Sequence, residues 1–395
     1  MAENLFSSHP TLTPPTTEEN RLLWLRLLRS RRVGISTFFR LMSEHGSAAA
    51  AFAVLPEIAR AAGVPDYQPC PEAVARAEMR AARAAGARML CYGEADYPAD
   101  LADISDAPPI LWTIGQRQLL HRPMVALVGA RNASSLGGRM ARKLAGELSE
   151  AGYVVVSGLA RGIDTIAHQA SLKGGTLAVQ AGGVDVAYPR ENANLMAQIV
   201  DSGLRLSEIA MGVTPQARHF PRRNRIISGL ARAVIVVEAA AHSGSLITAK
   251  NALDQGREVL AVPGHPFDAR AFGCNVLLRD GATLVRSAAD VIEVLGLPEP
   301  CTPSEAPTPK AHTRPPEAET ARAPYDNTSR PQRSLRETAD LHSQILARLG
   351  PSPVAEDQLV RDLALPIQKI TPELLNLELD GKIIRVSGGM LSLAH

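Results

Sequence analysis

Short runs in which every residue is apolar recur through the middle of the chain and alternate with helical patterns. Val125–Val128, Tyr153–Val156 and Ala233–Val237 are three of them. A strand that is apolar at every position is one that other elements cover on both faces. The pattern therefore predicts an α/β fold with an extended Rossmann-like, doubly wound, mostly parallel sheet over residues 88–297.

The segments on either side of this block differ from it in composition. Residues 1–19 are polar and predict a disordered start, and residues 20–87 have apolar residues at helical spacing and predict a small all-α module. Residues 298–334 hold almost no large apolar residue and predict a disordered linker. Residues 335–395 predict three helices and a two-stranded hairpin, which is the pattern of a winged helix.

The balance of charge restricts where an anionic partner could bind. The chain has 42 Lys and Arg against 40 Asp and Glu, so a polyanion would need a local basic patch. The four cysteines have no C-x-x-C spacing, which argues against a metal site and fits a reducing compartment. Because the chain has no apolar leader and no apolar run of about 20 residues, we expect a cytoplasmic protein without a membrane contact.

One basic patch lies between Glu208 and Glu238, where the chain has five arginines and no acidic residue. Its centre reads Phe220-Pro221-Arg222-Arg223-Asn224-Arg225. Guanidinium groups pair with phosphate oxygens, and an aromatic ring can stack on an unpaired base. The patch indicates a nucleic-acid site, for single strands more than for duplex. In the alternative interpretation the arginines form a solvated helix face and Phe220 is a core residue.

Three turns that follow predicted strands could bind anions at one edge of the sheet. Their candidate residues, in chain order, are Arg131, then Ser157, Gly158 and Gly162, then Ser243, Gly244 and Ser245, with Lys250 on the helix that the last turn opens. Glycines let a backbone approach a phosphate, and the N–H groups of a helix start point at it. The simpler alternatives are a tight turn and a plain helix cap. Several such turns would suit consecutive phosphates better than one mononucleotide.

Motifs of several enzyme classes are missing from the sequence. No G-x-G-x-x-G or G-x-x-x-x-G-K-[ST] string follows a predicted strand, so neither a nicotinamide cofactor nor ATP hydrolysis is supported. His219 and His242 have no carboxylate or nucleophile at a spacing that builds a catalytic pair, so no catalytic residue and no cofactor is expected. In the predicted winged helix, residues 368–382 carry acidic as well as basic side chains, which favours a protein contact over base reading.

Several long strings together resemble the DNA-processing protein DprA (Smf) family. They are Val128-Gly129-Ala130-Arg131, Ser157-Gly158-Leu159-Ala160-Arg161-Gly162-Ile163-Asp164, Phe220 to Leu230, Ser243 to Ala249, Val262-Pro263-Gly264 and Gly273-x-Asn275. The resemblance covers residues 88–297 densely. The helical module resembles the sterile-alpha-motif-like domain of many members, and the C-terminal part resembles their winged helix. Arg161 stands at a position that varies in the family pattern.

The resemblance implies a bacterial cytoplasmic protein that binds single-stranded DNA without sequence preference. It also implies a homodimer through the Rossmann-like domain and a partnership with the RecA recombinase, which is loaded onto protected incoming DNA during natural transformation. The family is not known for an enzymatic activity. The positions that match are Arg131, Ser157, Gly158, Gly162, Phe220 to Arg225 and Ser243 to Ser245, and Lys250 is our own addition to them.

Two other functions compete with this interpretation. A nucleotide phosphoribohydrolase similar to the cytokinin-activating "lonely guy" proteins would share the sheet, but it needs a Pro-Gly-Gly-x-Gly-Thr-x-x-Glu string with a catalytic glutamate. The corresponding segment here, Ser243 to Asn251, has no glutamate. A transcription regulator that reads duplex DNA through its winged helix would bind in a sequence-specific way.

Overall fold

The structure is a computed structural model, and it describes most of the chain. The described residues are 12–64, 66–298, 345, 348–349, 354–355, 359, 362–363, 374, 377, 383–386 and 390–393. The chain divides into two compact units, Met1–Ala306 and Pro307–His395. The predicted disordered start (up to residue 11) and the predicted linker (beyond residue 298) lie outside the described residues.

Four helices form the N-terminal module: α1 Glu18–Arg29, α2 Ile35–His45, α3 Ala48–Ala61 and α4 Glu72–Ala84. The side chain of Thr17 accepts a hydrogen bond from the N–H of Asn20 at 3.2 Å and so caps the start of α1. Aromatic edges hold the module together and join it to the sheet. The ring centroids of Trp24 and Phe38 lie 5.1 Å apart, and those of Phe39 and Tyr92 lie 5.0 Å apart.

A sheet of nine strands follows the module. Its strands are β1 Arg88–Cys91, β2 Ile110–Gly115, β3 Met124–Val128, β4 Val154–Ser157, β5 Thr176–Val179, β6 Leu204–Ser207, β7 Ala233–Val236, β8 Glu258–Ala261 and β9 Thr283–Leu284. Their order is β1-β2-β6-β5-β4-β3-β7-β8-β9. The strands from β3 to β9 pair in parallel, while β1 and β2 add an antiparallel edge. The predicted mostly parallel, doubly wound sheet is confirmed.

Helices cover both faces of this sheet. They are α5 Ala99–Ala102, α6 Ser135–Glu150, α7 Ile163–Ser171, α8 Ala193–Ser202, α9 His219–Leu230, α10 Gly244–Asp254, α11 Phe272–Arg279 and α12 Ala288–Leu295, with short 3₁₀ turns at Arg117–His121 and Arg190–Asn192. In β3, Val125 and Leu127 belong to the core shared with α6 and α7, whereas Ala126 and Val128 belong to the core shared with α9 and α10. Two covered faces explain why the strand has no polar position.

The direction of winding reverses at β3. The chain runs from β3 to β4, β5 and β6 on one side, and then returns to place β7 on the other side of β3. In open α/β sheets, ligands bind beyond the carboxyl ends of the strands at such a point. The topology therefore predicts a ligand site at the edge where β3, β4, β5 and β7 end.

The C-terminal unit has a sheet of three strands, β10 Val354–Ala355, β11 Ile383–Val386 and β12 Met390–Leu393, in the order β10-β12-β11. β11 and β12 pair antiparallel, so the predicted hairpin is present, and β10 adds a strand that was not predicted. Its described core is made of Ile345, Leu349, Leu359, Leu363, Leu374, Leu377, Ile383 and Leu391. In the described part of both units, no helix has the length and apolar character needed to cross a membrane.

A buried histidine makes the stability of the sheet domain depend on pH. His168 on α7 is fully buried, its Nδ1 lies 2.7 Å from the hydroxyl of Thr176, and burial lowers its pKa from 6.5 to about 3. As the pH falls below 6.5 the unfolded chain binds a proton that the folded chain does not, so stability is lost as the pH decreases.

We expect His168→Asn to remove this part of the pH dependence. The loss of unfolding free energy between pH 7.5 and pH 5 should be smaller in the variant by about 2 kcal/mol, since one pKa unit corresponds to about 1.4 kcal/mol. Denaturant titration of both proteins at the two pH values measures the difference. An equal loss in both would show that His168 is protonated in the folded state.

Candidate nucleic-acid interface

Two adjoining cavities lie at the edge where β3, β4, β5 and β7 end. The first compartment, about 900 Å³, is lined by the turn after β3, the start of α9 and the start of α10. The second compartment, about 660 Å³, is lined by the turn after β4 and by residues between 180 and 191. Arg131, Ala160 and Phe220 line both, so the two compartments form one continuous groove.

Phe220 stands at the boundary between the two compartments. Its side chain is only half-buried, and its ring centroid lies 5.9 Å from that of Tyr188, with 54° between the ring planes. The guanidinium carbon of Arg131 lies over the same ring, 5.4 Å from its centroid. Phe220 is therefore part of the groove wall and not of the hydrophobic core, which resolves the alternative that the sequence left open.

Arg131 and Arg222 are both exposed but differ in their surroundings. Arg131 lines both compartments, and it forms no ion pair with any residue that the structure describes. Arg222 lines neither compartment, and its Nε lies 3.7 Å from the carboxylate of Glu208. Arg131 is thus available to an anion in the groove, whereas Arg222 lies outside it.

Arg225 does not have the role that the sequence predicted for it. Its guanidinium is buried, donates to the Glu208 carboxylate at 2.5 Å, and lies 3.2 Å from the carboxylate of Asp106. It also donates to the backbone carbonyl of Asp106. A guanidinium whose donors already meet two carboxylates has little left to offer a phosphate. Arg225 therefore joins α9 to the end of β6. It is not an expected DNA contact.

Arg223 lines the first compartment but is buried against the sheet. Its Nη1 donates to the carbonyl of Val179 at 3.0 Å, and a Cβ placed on Gly158 would lie 1.6 Å from that same nitrogen. Burial lowers the pKa of Arg223 to about 10, while nearby Asp164 acts in the opposite direction. Glycine is therefore needed at position 158 because any side chain there would collide with the guanidinium of Arg223. The sequence had suggested another reason for this glycine, the close approach of a phosphate.

Carboxylates of the protein already accept amide hydrogen bonds in two of the turns at this edge. Asp164 accepts hydrogen bonds from the N–H groups of Gly158, at 3.1 Å, and Ala160, at 3.3 Å. Burial raises the pKa of Asp164, and Arg223 opposes that increase. Glu238, at the end of β7, accepts from the N–H of Ser134 at 2.9 Å and from its hydroxyl at the start of α6. The amides of these turns are not free, contrary to our expectation for the turn after β4.

Ser157 and Gly162 shape the turn after β4 without offering a group to the groove. The hydroxyl of Ser157 is buried and donates to the carbonyl of Leu127 at 2.7 Å. Gly162 has a φ of 77°, and a Cβ there would lie 2.2 Å from the carbonyl oxygen of Ala130. Only glycine fits this crossing of two loops. Both positions are structural in this fold.

The start of α10 is the turn whose predicted residues line the groove together. Ser243, Gly244 and Ser245 all line the first compartment, and the hydroxyls of Ser243 and Ser245 lie 2.7 Å apart. The side chain of Asn224 donates to the carbonyl of Gly244 at 3.2 Å and so ties α9 to this turn. Lys250 is exposed farther along α10 and does not line either compartment.

The groove also contains residues that the sequence analysis did not select. Arg161, Arg190 and Tyr188 line the second compartment, and the guanidinium of Arg161 lies 3.9 Å from the carboxylate of Glu191. Arg270 lines the first compartment. The rule that ligands lie beyond parallel strands could have identified the segment after β5, but its residues form no recognisable motif.

The two histidines of this region differ in their surroundings. His219 is buried, its Nδ1 accepts from the N–H of Gln216 at 3.2 Å, and burial lowers its pKa. His242 is exposed and lines the first compartment. Among the residues that the structure describes, no group of three His, Cys, Asp or Glu side chains is placed to hold a metal ion.

Removal of a buried arginine should affect stability, whereas removal of an exposed one should not. Arg225→Ala would leave the buried Glu208 carboxylate without its hydrogen-bonded partner, with Arg222 at 3.7 Å as its remaining cation, and should lower the free energy of unfolding by about 3–5 kcal/mol. Arg131→Ala should change it by less than about 0.5 kcal/mol. Denaturant titration of the two variants beside the parent protein gives both values, and a fully stable Arg225→Ala protein would refute the internal role.

Comparison with known families matches three parts of the chain. The model of DNA recombination-mediator protein A matches residues 88–296. The model of the DprA-like N-terminal HHH domain matches residues 18–81, and the DprA winged helix domain matches residues 329–389. The N-terminal helical module therefore matches an HHH domain of this family. The resemblance in sequence had suggested a sterile-alpha-motif-like domain for the same residues.

Individual relatives agree with these matches. DNA processing protein DprA of Streptococcus pneumoniae is 48% identical over 198 residues, which cover 50% of this chain and 70% of that protein. Protein Smf of Escherichia coli is 36% identical over 300 residues, which cover 75% of each chain. The X-ray structure of DNA processing protein A from Streptococcus pneumoniae matches with a TM-score of 0.53 and 42% identity, covering 56% of this chain and 77% of that one. As the order of its motifs predicted, the chain belongs to the DNA recombination-mediator protein A family.

Proposed function

We propose that this protein binds single-stranded DNA without sequence preference along the groove and delivers it to a recombinase. Membership of its family assigns the chain to DNA recombination and DNA processing. The proposal adds the substrate, which is a flexible strand with unpaired bases, and the place where it binds. It gives the protein no catalytic step.

The observation that carries the proposal is the arrangement of Arg131, Phe220 and Tyr188. A guanidinium that forms no ion pair with the residues the structure describes lies over one aromatic ring, and a second ring stands beside the first in the groove. Such a site offers a cation to a phosphate and a flat surface to a base. Stacking on a protein ring requires a base that is not paired in a duplex. This favours single-stranded over double-stranded DNA.

The distribution of charge favours a polymer over a mononucleotide. Arg131, Arg161 and Arg190 are exposed along the second compartment, so more than one phosphate can be met. In the turns that precede α6 and α7, near which a mononucleotide phosphate would be expected, the carboxylates of Glu238 and Asp164 accept amide hydrogen bonds. A phosphate would have to displace an anion of the protein there.

The same geometry weighs against a nucleotide phosphoribohydrolase. Glu238 precedes the α10 turn in the chain, and its carboxylate is engaged by the backbone and hydroxyl of Ser134. The segment Ser243 to Asn251 supplies no other glutamate. Release of a free base from nucleoside monophosphates by the purified protein would contradict the non-catalytic proposal.

The wider role that we propose follows from the family resemblance. It comprises protection of incoming DNA, loading of RecA during natural transformation, a homodimer formed through the sheet domain, and a cytoplasmic location. We assign DNA binding to residues 88–297 and a helical module to residues 20–87. Residues 335–395 would act as a winged helix in protein contacts, beyond a linker at 298–334.

Two substitutions should separate the phosphate contact from the base contact. Arg131→Ala should weaken binding to an oligo(dT) and reduce the slope of log affinity against log salt by about 0.7, which is the contribution of one phosphate in a single strand. Phe220→Ala should weaken binding by about 1–3 kcal/mol through lost stacking and leave that slope nearly unchanged. Fluorescence anisotropy across a salt series measures both quantities.

Arg139→Ala is the matched control, because Arg139 is an exposed arginine on α6 that does not line the groove. The affinity of the Arg139→Ala variant for the oligo(dT) should equal that of the parent protein at every salt concentration. If Arg131→Ala behaved in the same way as this control, the groove would not be the DNA site. A duplex of the same sequence should bind more weakly than the single strand.

A further inference from the structure

A cleft outside the groove lies between the first turns of α6 and the loop that follows β8. Its volume is about 380 Å³, and it shares no lining residue with either compartment of the groove. Part of its lining is apolar: Val262 and Ala271 are buried there, and Met140 is half-buried. A concave site of this size has room for a few side chains of a ligand.

Exposed apolar side chains stand at this cleft. Leu136, on the first turn of α6, lines the cleft and is 69% exposed. Phe267 is 94% exposed and belongs to the loop that contributes His265 and Asp268 to the lining. Large apolar side chains exposed beside a concave surface are typical of a site that binds another protein.

Hydrogen bonds hold the loop after β8 in place. The N–H of Gly264 donates to Oδ1 of Asn275 on α11 at 3.2 Å, and Nδ2 of Asn275 donates back to the carbonyl of Gly264 at 3.0 Å. The N–H of Asp268 donates to the carbonyl of His265 at 2.9 Å and closes a turn around Phe267. The cleft is therefore formed before a ligand enters, which reduces the entropy cost of binding.

The outer face of α6 adds positive charge at the cleft. Arg139 and Lys143 line it one helical turn apart, and Arg142 is exposed beside them. Neither Arg139 nor Arg142 forms an ion pair with any residue in the described part of the chain. Lys143 has only Glu147, at 3.9 Å, in an exposed pair of the kind that contributes little. These cations are available to an anionic ligand.

The acidic side chains of the lining already have partners within the protein. Glu238 accepts from Ser134, and the carboxylate of Asp268 accepts from Nε of Arg270 at 3.1 Å. A ligand therefore meets an apolar cleft with cations at its side. The sugar–phosphate chain of a nucleic acid would leave Leu136 and the apolar lining uncovered, because it carries no apolar side chain. An acidic peptide supplies both carboxylates and an apolar side chain.

We propose that this cleft binds an acidic peptide segment of a partner protein through one apolar anchor side chain. The anchor enters the cleft beside Leu136, and the carboxylates on either side of it meet Arg139 and Lys143. Because the cleft and the groove have no lining residue in common, the peptide and a DNA strand occupy separate sites. The inference goes beyond the proposed function and does not depend on it.

A labelled synthetic peptide with one phenylalanine among aspartates tests the inference by fluorescence anisotropy on the full-length protein. Binding should be saturable and should weaken as salt is added. Arg139→Glu should weaken it at least about five-fold through reversed charge. Leu136→Ser should weaken it about ten-fold through lost apolar contact, as should replacement of the peptide's phenylalanine by serine.

Two variants serve as matched controls and should keep the parent affinity for the peptide. Arg40→Glu makes the same change of charge at an exposed arginine of α2. Leu297→Ser makes the same change of polarity at a leucine that is 71% exposed beyond the end of α12. Neither residue lines the cleft.

The two sites should be separable by mutation. Arg131→Ala should bind the peptide as the parent does, and Arg139→Glu should bind oligo(dT) as Arg40→Glu does. Absence of peptide binding by the parent, or parent-like peptide binding by Arg139→Glu or Leu136→Ser, would overturn the inference.

Two other occupants of the cleft would also overturn it. If Arg139→Glu bound oligo(dT) more weakly than Arg40→Glu does, the face of α6 would be a DNA contact. If Leu136→Ser changed the oligomeric state in sedimentation, the cleft would be an interface between copies of the chain. A parent protein that bound the peptide but no oligo(dT) would contradict the proposed function and leave this inference standing.

Discussion

Two buried arginines of α9 hold the groove in its shape. Arg225 bonds to Glu208 after β6 and to Asp106, and Arg223 reaches under the turn after β4 to the carbonyl of Val179. Buried charges are tolerated only when they are paired and hydrogen-bonded. The helix is therefore fixed over the ends of β5 and β6, and Phe220 at its start is brought to the boundary between the two compartments.

The pairing of buried charges is also a reason to propose a strand of DNA, and not a nucleotide cofactor, as the ligand of this edge. Open α/β sheets commonly use helix starts to bind phosphate. In this protein the carboxylates of Asp164 and Glu238 accept from N–H groups in the turns that precede two of these starts. Positive charge is instead carried by exposed side chains along the groove, Arg131 foremost among them. Side-chain cations at the surface can follow a flexible backbone, whereas a cradle of amides selects one fixed phosphate.

Much of the fold could be predicted because a strand that is buried on both faces is apolar at nearly every position, and this pattern is visible in the sequence. The strands β3 and β7 are apolar throughout, and β4 is apolar except for Ser157 at its end; all three lie where the pattern placed them. The antiparallel pair β1 and β2 was missed, because an edge hairpin across a long connection has no such signature. For α9, the sequence suggested at most a solvated helix face, because arginines are usually exposed. In the structure, every residue from Arg223 to Leu230 is buried.

The sequence by itself determined the class of fold, the family, and the kind of chemistry to expect, which is arginine and an aromatic ring at a sheet edge. Those conclusions depend on residue types and their order, which a chain displays before it folds. Only the tertiary structure decided which arginine lacks an ion pair among the described residues, because Arg131, Arg222 and Arg225 are the same residue type and differ in burial and in the carboxylates near them. It alone brought Tyr188 to Phe220, since residues far apart in the chain become neighbours only when the sheet is assembled.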